Sequence, residues 1–487
     1  MQPYDLVIRG GTVATATDVM DADVAIRGET ITAIGRDLGA AVHELDARGR
    51  LVLPGGVDTH AHIEQLSASG LMNADSFETA TVSAAFGGTT TVICFAAQHV
   101  GMDLRAVVDD YHGLAQRGAV IDYAFHMIIA DPTETALKEE LPALVREGHS
   151  SIKIFMTYDR LRLQDEQVLD VLMAARENGA FVMAHAENHG MISWTVRRLL
   201  ERGHVAPRYH AVSHPRGSES EAIRRLIEMA ALVDQPVMIY HVSTAEGAAV
   251  IREARGQGRK VFGETCPQYL FLTAQDLDRP GIAGAKWMCS PPPRQASDQE
   301  ALWRALELGD LQVLSSDHAP YRFDESGKLA AGPNPNFKQI ANGLPGLELR
   351  LPLLFDAMVS KGRLGLCKFV ALTATEPARL YGLYPRKGSI AVGADADLVL
   401  WNPAREVEIT DSLTHDRTGY TPYAGRTVRG WPETVLRRGR VIVENGELQA
   451  RPGEGRFLPR AAGEAARPTG RISAEFDPAR NFGATLY

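Results

Sequence analysis

Short apolar runs alternate with segments of helical spacing through the middle of this 487-residue chain. The runs are nearly continuous, which is typical of parallel strands covered on both faces. Eight such strand–helix units predict a closed parallel barrel. The predicted strands are Leu51–His60, Thr89–Ala96, Asp122–Ile129, Ser151–Met156, Phe181–His185, Pro236–His241, Lys260–Thr265 and Leu311–Asp317. The clearest helical segments between them are Leu104–Gly118, Asp165–Asn178, Glu219–Val233 and Asp298–Leu308.

The two ends of the chain have a different pattern. Residues 5–50 alternate apolar and polar positions between frequent turn signals, and the same texture returns after residue 385. The simplest assembly is an α/β protein, a (β/α)8 TIM-type barrel with a small β-sandwich domain built from both termini. We expect a discontinuous β-sandwich domain (1–53 and 385–460), a barrel (54–384) and a C-terminal arm that could contact another subunit (461–487).

Composition narrows the class of protein. The net charge is −9, and no Lys/Arg run is present, which argues against a nucleic-acid surface. The N-terminus lacks the basic and apolar regions of a signal peptide, and the longest apolar stretch is too short to span a bilayer. The 4 cysteines are scattered, with no CxxC pair. We therefore expect a cytoplasmic protein with no nucleic-acid or membrane partner.

Metal-type ligands fall at the ends of the predicted strands. A parallel barrel collects the carboxyl ends of its strands around one mouth, where barrel enzymes carry out their chemistry. Residues far apart in sequence therefore become one candidate cluster, which indicates a two-metal hydrolase. Its members are His60, His62, Lys153, His185, His241 and Asp317.

Each of these signals is weak alone. His60 and His62 point to the same face and suit zinc, but two surface histidines would give the same pattern. Lys153 lies in a strand that should be buried, where a lone ammonium is costly. It could pair with an acid or reach solvent, or it could bind metal after its amine is carbamylated by CO2. A single histidine at a strand end, such as His185 or His241, is more often a packed core or rim group.

Longer motifs resemble one family. The ligand set is similar to that of the binuclear amidohydrolase superfamily, and the likeness to dihydropyrimidinases and D-hydantoinases extends to about residue 458. That resemblance implies hydrolytic opening of dihydropyrimidines or hydantoins, small cyclic ureides and imides, to N-carbamoyl amino acids. The motifs are Lys153–Tyr158, His185–Asn188, Gly263–Leu270, Ser290–Arg294, Ser316–Pro320 and Ala341–Gly346.

The resemblance also implies a cofactor. His60 and His62, with Asp317, would hold one divalent metal, most simply Zn2+, and His185 and His241 would hold a second. Lys153, as N6-carboxylysine formed with CO2, would bridge the two ions together with a hydroxide. Two metals roughly 3.5–4 Å apart can generate hydroxide near neutral pH and polarise a carbonyl.

Catalytic and substrate-binding roles follow from the same resemblance. Asp317 would take a proton from the hydroxide and deliver it to the leaving ring nitrogen. Tyr158 would donate a hydrogen bond to the developing oxyanion, an effect worth about 3–4 kcal/mol. Main-chain groups at Ser290 and Asn342 would bind the amide edge of the ring. The family further implies a homotetramer or homodimer.

Two positions depart from the family pattern. Counted from Lys153, Arg162 falls where hydantoinases often carry an aromatic residue, and Ser67 falls where they often carry a leucine. This predicts a more polar pocket that favours dihydrouracil or an acid-bearing ring. The alternative is that Arg160 and Arg162 point to solvent.

Other functions stay open at this point. An allantoinase, an imidase or a dihydroorotase would share the metal set, although Glu64 stands where dihydroorotases carry a carboxylate-binding arginine. A two-metal hydrolase of linear amides or phosphoesters would share the barrel. A non-catalytic scaffold would have lost ligands that this chain retains. His318, next to Asp317, could support a ligand or lie at the rim.

Overall fold

The computed structural model describes residues 3–67, 70–471 and 473–486. Its strands are β1 (Tyr4–Ala14), β2 (Val19–Arg27), β3 (Thr30–Gly35), β4 (Ala41–Asp46), β5 (Leu51–Pro54), β6 (Gly56–Ala61), β7 (Thr89–Ala97), β8 (Asp122–Ile128), β9 (Ser151–Phe155), β10 (Phe181–His185), β11 (Val237–Ile239), β12 (Val261–Thr265), β13 (Val313–Leu314), β14 (Leu398–Glu408), β15 (Thr427–Arg437), β16 (Arg440–Glu444) and β17 (Glu447–Leu448).

The α-helices are α1 (Phe77–Phe86), α2 (Leu104–Gly118), α3 (Leu141–Arg146), α4 (Asp165–Asn178), α5 (His189–Glu201), α6 (Tyr209–Ser213), α7 (Arg216–Leu232), α8 (Ala245–Gly256), α9 (Pro267–Phe271), α10 (Ala296–Leu308), α11 (Arg350–Phe355), α12 (Leu366–Val370) and α13 (Glu376–Leu380). Single π-helical turns cover Ala136–Glu140, Asp356–Ser360 and Ala371–Thr375. Short 3-10 turns cover Ala274–Leu277, Ala283–Trp287, Glu464–Ala466 and Ala474–Phe476.

Strands β6 to β13 form the barrel. They are parallel, and each pairs with its neighbour in chain order. The last strand meets the first through the Ser316 hydroxyl, which donates to the His60 carbonyl at 3.1 Å, and the His62 N–H, which donates to the His318 carbonyl at 2.7 Å. The predicted (β/α)8 barrel is confirmed.

The first predicted strand, Leu51–His60, is wrong as a single element. Its first half, β5, pairs with β1 and β14, and its second half, β6, begins the barrel. The chain passes from one sheet to the other at Gly55. A Cβ there would lie 2.1 Å from the Thr90 hydroxyl oxygen, so only glycine fits this close approach.

The two chain ends meet in one mixed sheet of nine strands, which confirms the small β-domain expected from both termini. Its order is β17-β16-β15-β14-β5-β1-β2-β3, with β4 paired to β1. The antiparallel β5–β14 pair joins the N-terminal strands to the C-terminal ones. A separate apolar core stabilises the sheet, with Ile8, Val24, Ile26, Leu398 and Leu436 among its buried members.

A buried ion cluster ties this sheet to the barrel. The Lys387 Nζ lies 2.7 Å from Asp122, at the start of β8, and 2.8 Å from Asp397, at the start of β14. Asp395 is 3.0 Å away. Lys387 therefore pairs with carboxylates from both domains, and the Arg438 Nε also lies 3.1 Å from Asp122.

The C-terminal segment begins along the protein's own barrel. The Lys260 Nζ donates to the Arg467 carbonyl at 2.9 Å, and the Thr469 and Gly470 N–H groups donate to Asp234. Phe482 and Leu486, near the end, are exposed. Contact of this arm with another subunit stays a prediction. Within the described residues, no helix is long and apolar enough to cross a membrane.

Candidate metal centre and substrate cavity

A cavity of about 500 Å3 opens at the carboxyl ends of the barrel strands. It brings together every residue that the sequence nominated for the metal centre and for substrate binding. These are His60, His62, Lys153, Tyr158, His185, His241, Ser290, Asp317 and Asn342. Nine positions spread over nearly 300 residues of sequence thus line one space.

Three of the residues have left-handed backbone. Tyr158 has φ 71°, His241 has φ 42° and Asp317 has φ 49°. Such a conformation costs a non-glycine residue about 1–3 kcal/mol and persists only where the surroundings enforce it. All three follow barrel strands, so the strain lies at the turns that aim these side chains into the cavity.

His60, His62 and Asp317 form a compact group. The Asp317 Oδ1 lies 3.1 Å from the His60 Nε2 and 3.6 Å from the His62 Nε2. One ligand atom from each residue lies within 4.8 Å of the others, close enough to share one ion. The structure therefore brings together these three residues that the sequence nominated.

The other nitrogen of each ring has its own acceptor. The His60 Nδ1 lies 2.7 Å from the Glu264 carboxylate, and the His62 Nδ1 lies 2.7 Å from the Gln65 side-chain oxygen. Because these oxygens accept, each Nδ1 carries a proton and each Nε2 faces the cavity. Such acceptors orient metal-binding histidines and make them more basic.

Asp317 is a carboxylate in this setting. Burial alone would raise its pKa, but His60, His62 and His241 lower it more, so the pKa lies well below its usual value. The group is therefore ionised and able to bind a cation.

His185 and His241 occupy the other side of the cavity. Their ring centres are 4.3 Å apart. The His185 Nε2 lies 2.8 Å from the buried Glu187 carboxylate, which leaves its Nδ1 for the cavity. The His241 N–H donates to Glu264, the same carboxylate that orients His60, at 3.3 Å.

Lys153 is buried between the two histidine groups. Its Nζ has no hydrogen-bond partner in the part of the chain that the structure describes, and it lies 4.1 Å from the centre of the Tyr240 ring. Burial lowers the pKa of this amine to about 7, although Glu264 and Asp317 act in the opposite direction. An unpaired buried amine is costly unless it is modified or neutralised.

Sequence reasoning did not assign the acceptors behind the ligands. Gln65 follows His62 by three residues and Glu187 follows His185 by two. This short spacing is the sequence signal from which these two acceptors could have been predicted. Glu264 comes from another strand, β12, and only the fold places it. His318 is fully buried and lies 2.9 Å from Asp75, so it supports the loop and does not face the cavity.

On the substrate side, main-chain N–H and C=O groups face the cavity. Neither the N–H nor the C=O of Asn342 bonds to another described residue, and the Ser290 carbonyl is likewise open. The Tyr158 ring centre is 5.1 Å from that of His185. Burial raises the pKa of Tyr158, so its hydroxyl remains a proton donor.

Of the two alternatives for Arg162, the structure supports the one in which its side chain points to solvent. The chain turns after Tyr158, whose carbonyl accepts from the Leu161 and Arg162 N–H groups, and this turn leaves Arg162 exposed. Leu161 and Arg160 line the cavity in its place, together with Ser67. Counting from Lys153 fails because the segment is a turn and not an extended strand.

An eight-stranded barrel with histidines, a lysine and an aspartate at the carboxyl ends of its strands is the architecture of a metal-dependent barrel hydrolase. The sequence profile of the Amidohydrolase family matches residues 51–442. The chain belongs to the amidohydrolase family.

Similar proteins narrow the comparison. The chain is 42% identical over 457 residues to a D-hydantoinase of Rhizobium radiobacter, covering 94% of this chain and 99% of that one. It is 43% identical over 462 residues to a D-hydantoinase of Streptomyces coelicolor, covering 93% and 98%. The crystal structure of a dihydropyrimidinase from Brevibacillus agri superposes with a TM-score of 0.91 at 41% identity, covering 95% and 99%.

Proposed function

We propose that the protein is a cyclic amidohydrolase that opens hydantoins and dihydropyrimidines to N-carbamoyl amino acids. The observation that carries this proposal is one cavity that combines six metal-type ligands with unpaired main-chain amide groups. A cyclic ureide offers carbonyls and N–H groups along one edge, which complements such a backbone. The D-hydantoinases and the dihydropyrimidinase that the chain resembles support the same reaction.

We propose two divalent metal ions, most simply Zn2+, as cofactor. His60, His62 and Asp317 would hold one ion and His185 and His241 the other, with Lys153 carboxylated by CO2 between them. The unpaired Lys153 Nζ supports this assignment, since carboxylation converts a costly buried amine into a ligand. When bound, the ions supply activated water and a polarised carbonyl.

The chain's own groups would then orient the ring and move one proton. The Asn342 N–H would donate to a ring carbonyl, while the Ser290 and Asn342 carbonyls would accept from ring N–H groups. Tyr158 would donate to the oxygen that gains charge as the amide carbonyl is attacked. Asp317 would take a proton from the attacking water and return it to the ring nitrogen as the C–N bond breaks.

Neighbouring activities are less well supported. The position at which dihydroorotases carry a carboxylate-binding arginine is Glu64 in this chain, and its carboxylate accepts from the Phe77 N–H of α1 at 3.0 Å. A non-catalytic scaffold has no need of a complete ligand set. Allantoinase or imidase activity remains the alternative within the same reaction class.

The test is a ring-opening assay on zinc-loaded protein in bicarbonate buffer. Dihydrouracil, hydantoin, D- and L-aryl hydantoins, a carboxyalkyl hydantoin, allantoin and dihydroorotate would be run in parallel, with the carbamoyl product identified by mass. We expect turnover of hydantoin or dihydrouracil. Preference for allantoin would favour the alternative, and no turnover of any ring with metal bound would overturn the proposal.

We also propose a cytoplasmic homotetramer or homodimer. All four cysteines are free thiols, which fits a reducing compartment. Met191 and Trp194 on α5, with Val205 and Val212 nearby in sequence, are large apolar residues left exposed. Exposed apolar groups of this kind are common where subunits meet.

A further inference from the structure

Two buried polar side chains bind carbonyls beside the proposed substrate contacts. The Lys328 Nζ donates to the Ala341 carbonyl at 2.9 Å and to the Met288 carbonyl at 3.2 Å, and its side chain is fully buried. The His210 Nε2 donates to the Cys289 carbonyl at 2.8 Å. Burial lowers the pKa of His210 to about 3, so the ring is neutral and its single proton lies on Nε2.

The two Lys328 bonds join the backbone segments 288–291 and 341–343, which contribute Ser290 and Asn342 to the substrate side of the cavity. The Met288 carbonyl also accepts from the Gly343 N–H at 3.0 Å, so Lys328 and Gly343 together tie one segment to the other. Gly343 has φ 151°, and a Cβ there would lie 2.2 Å from the Ala319 carbonyl oxygen. Any other residue at Gly343 would push this backbone away from Ala319.

Most carbonyls of the first segment, Met288–Pro291, accept a hydrogen bond from the protein. Within Met288–Pro291, the carbonyls of residues 288, 289 and 291 each accept a bond from the protein. Among the residues that the structure describes, only Ser290 leaves its carbonyl in this segment without a donor. That open carbonyl is one of the groups proposed to bind the ring.

Peptide planarity carries the effect to the neighbouring groups. The Ala341 carbonyl and the Asn342 N–H belong to one rigid plane, so fixing the oxygen fixes the direction of the N–H. The Cys289 carbonyl and the Ser290 N–H are coupled in the same way. Lys328 therefore fixes the direction of the open Asn342 N–H. His210 fixes the peptide plane that directly precedes the open Ser290 carbonyl, and neither side chain lines the cavity itself.

We propose that Lys328 and His210 are positioning residues for the cyclic amide, acting through the backbone of Asn342 and Ser290; this inference rests on the proposed function. His210 further links this backbone to the metal side. Its ring centre lies 4.7 Å from that of His214, whose Nδ1 is 2.9 Å from Glu187. The same carboxylate orients His185.

The test compares KM with kcat for the best ring substrate in Lys328→Met, His210→Ala and His210→Gln. Contacts to the ring edge exist in both ground and transition states, so their loss raises KM and leaves kcat nearly unchanged. We expect KM to rise about tenfold in Lys328→Met and His210→Ala, with kcat within about threefold of wild type. His210→Gln keeps an N–H donor and should restore most of the wild-type KM.

Lys286→Met is the matched control. The Lys286 Nζ lies 5.1 Å from the centre of the Phe323 ring, and Phe323 is five residues before Lys328 in sequence. Lys286 donates to none of the carbonyls that Lys328 and His210 bind. A purely structural role would lower the melting temperature or the amount of active enzyme and leave KM unchanged. That result in both Lys328→Met and His210→Ala would overturn this inference and leave the proposed function standing. If Lys328→Met does not fold, the His210 pair decides. A wild-type protein that opens no ring would overturn this inference together with the proposed function.

Discussion

At the scale of single residues, the site depends as much on the side-chain oxygens that hydrogen-bond the candidate ligands as on the ligands themselves. Glu264 holds both the His60 ring and the His241 backbone from one oxygen. Gln65 and Glu187 do the same for His62 and His185. The rings of His60, His62 and His185 therefore each present one defined nitrogen to the cavity before any ion binds.

Glu264→Gln tests this preorganisation. We expect zinc affinity to fall about 10- to 100-fold, because the His60 ring loses the carboxylate that fixes its tautomer. Competition with a zinc chelator measures the change directly. Glu348→Gln is the control, since Glu348 is a buried glutamate bonded to a histidine, His415, away from the cavity. Equal zinc affinity in the two variants would contradict the role of Glu264.

The arginines of the turn after Tyr158 test the polarity of the pocket. Arg160 lines the cavity, whereas Arg162 is exposed outside it. We expect Arg160→Leu to lower the ratio of kcat/KM for a carboxyalkyl hydantoin to kcat/KM for an aryl hydantoin by up to about fivefold. This is the size of effect that one exposed ion pair contributes. Arg162→Leu should leave the ranking as it is. An unchanged ranking in Arg160→Leu would show that the acid-bearing ring is not favoured by this group.

At the scale of elements, closure of the barrel rests on Arg350. This fully buried guanidinium donates to the Val57 carbonyl of β6 at 3.1 Å and to the Leu314 carbonyl of β13 at 2.9 Å. Its Nε lies 3.4 Å from the buried Asp58 carboxylate. Asp58 in turn accepts from the His60 N–H, so closure and the metal site share one residue.

Arg350→Leu should therefore lower the free energy of unfolding by about 3–5 kcal/mol, the cost of leaving one partner of a buried ion pair behind. Denaturant unfolding measures it. The control is Arg363→Leu, which removes a pair with the exposed Glu300 and should change stability by less than about 1 kcal/mol. Similar losses in both variants would mean that Arg350 does not close the barrel.

The sequence was informative about elements wherever periodicity was strong. Helices α2 and α4 match the predicted Leu104–Gly118 and Asp165–Asn178 to the residue. The last barrel strand was expected over Leu311–Asp317, but only Val313–Leu314 is regular, because the chain leaves the ladder before the left-handed Asp317. Turn geometry of this kind depends on contacts from other strands, which periodicity does not carry.

At the scale of the whole molecule, Lys387 holds the small domain on the barrel. Burial lowers the pKa of this ammonium, but Asp397, Asp122 and Asp395 outweigh it and raise the pKa above its usual value. The ammonium form is thus stabilised by folding, and its contribution is present at neutral pH and lost only as pH rises through that raised pKa.

Lys387→Met removes the cation and leaves carboxylates buried on both sides of the domain boundary. We expect a loss of about 3–5 kcal/mol at pH 8. Burial already raises the pKa of Asp397, so acidification should protonate these carboxylates and shrink the deficit at pH 5. Unfolding free energies of wild type and variant at the two pH values give the comparison. A deficit that grows on acidification would contradict the sign argued here.

The ligand set could be predicted from the sequence because each member ends an apolar run and because the motifs around it are long. The pairing of Lys387 with Asp122, and of Glu264 with His60, could not be predicted, since the partners are 265 and 204 residues apart in sequence. Pairing between residues so far apart leaves no local pattern in sequence.

The most direct measurement is ring opening by wild type and Lys153→Ala at determined zinc content, with the exposed Lys361→Ala as control. The account expects two zinc ions per chain and turnover of hydantoin or dihydrouracil in wild type and control. Lys153→Ala should lose the proposed shared ligand, bind less zinc and show no measurable turnover. Full turnover in Lys153→Ala, or a wild-type protein with two ions that opens no ring, would contradict the central claim.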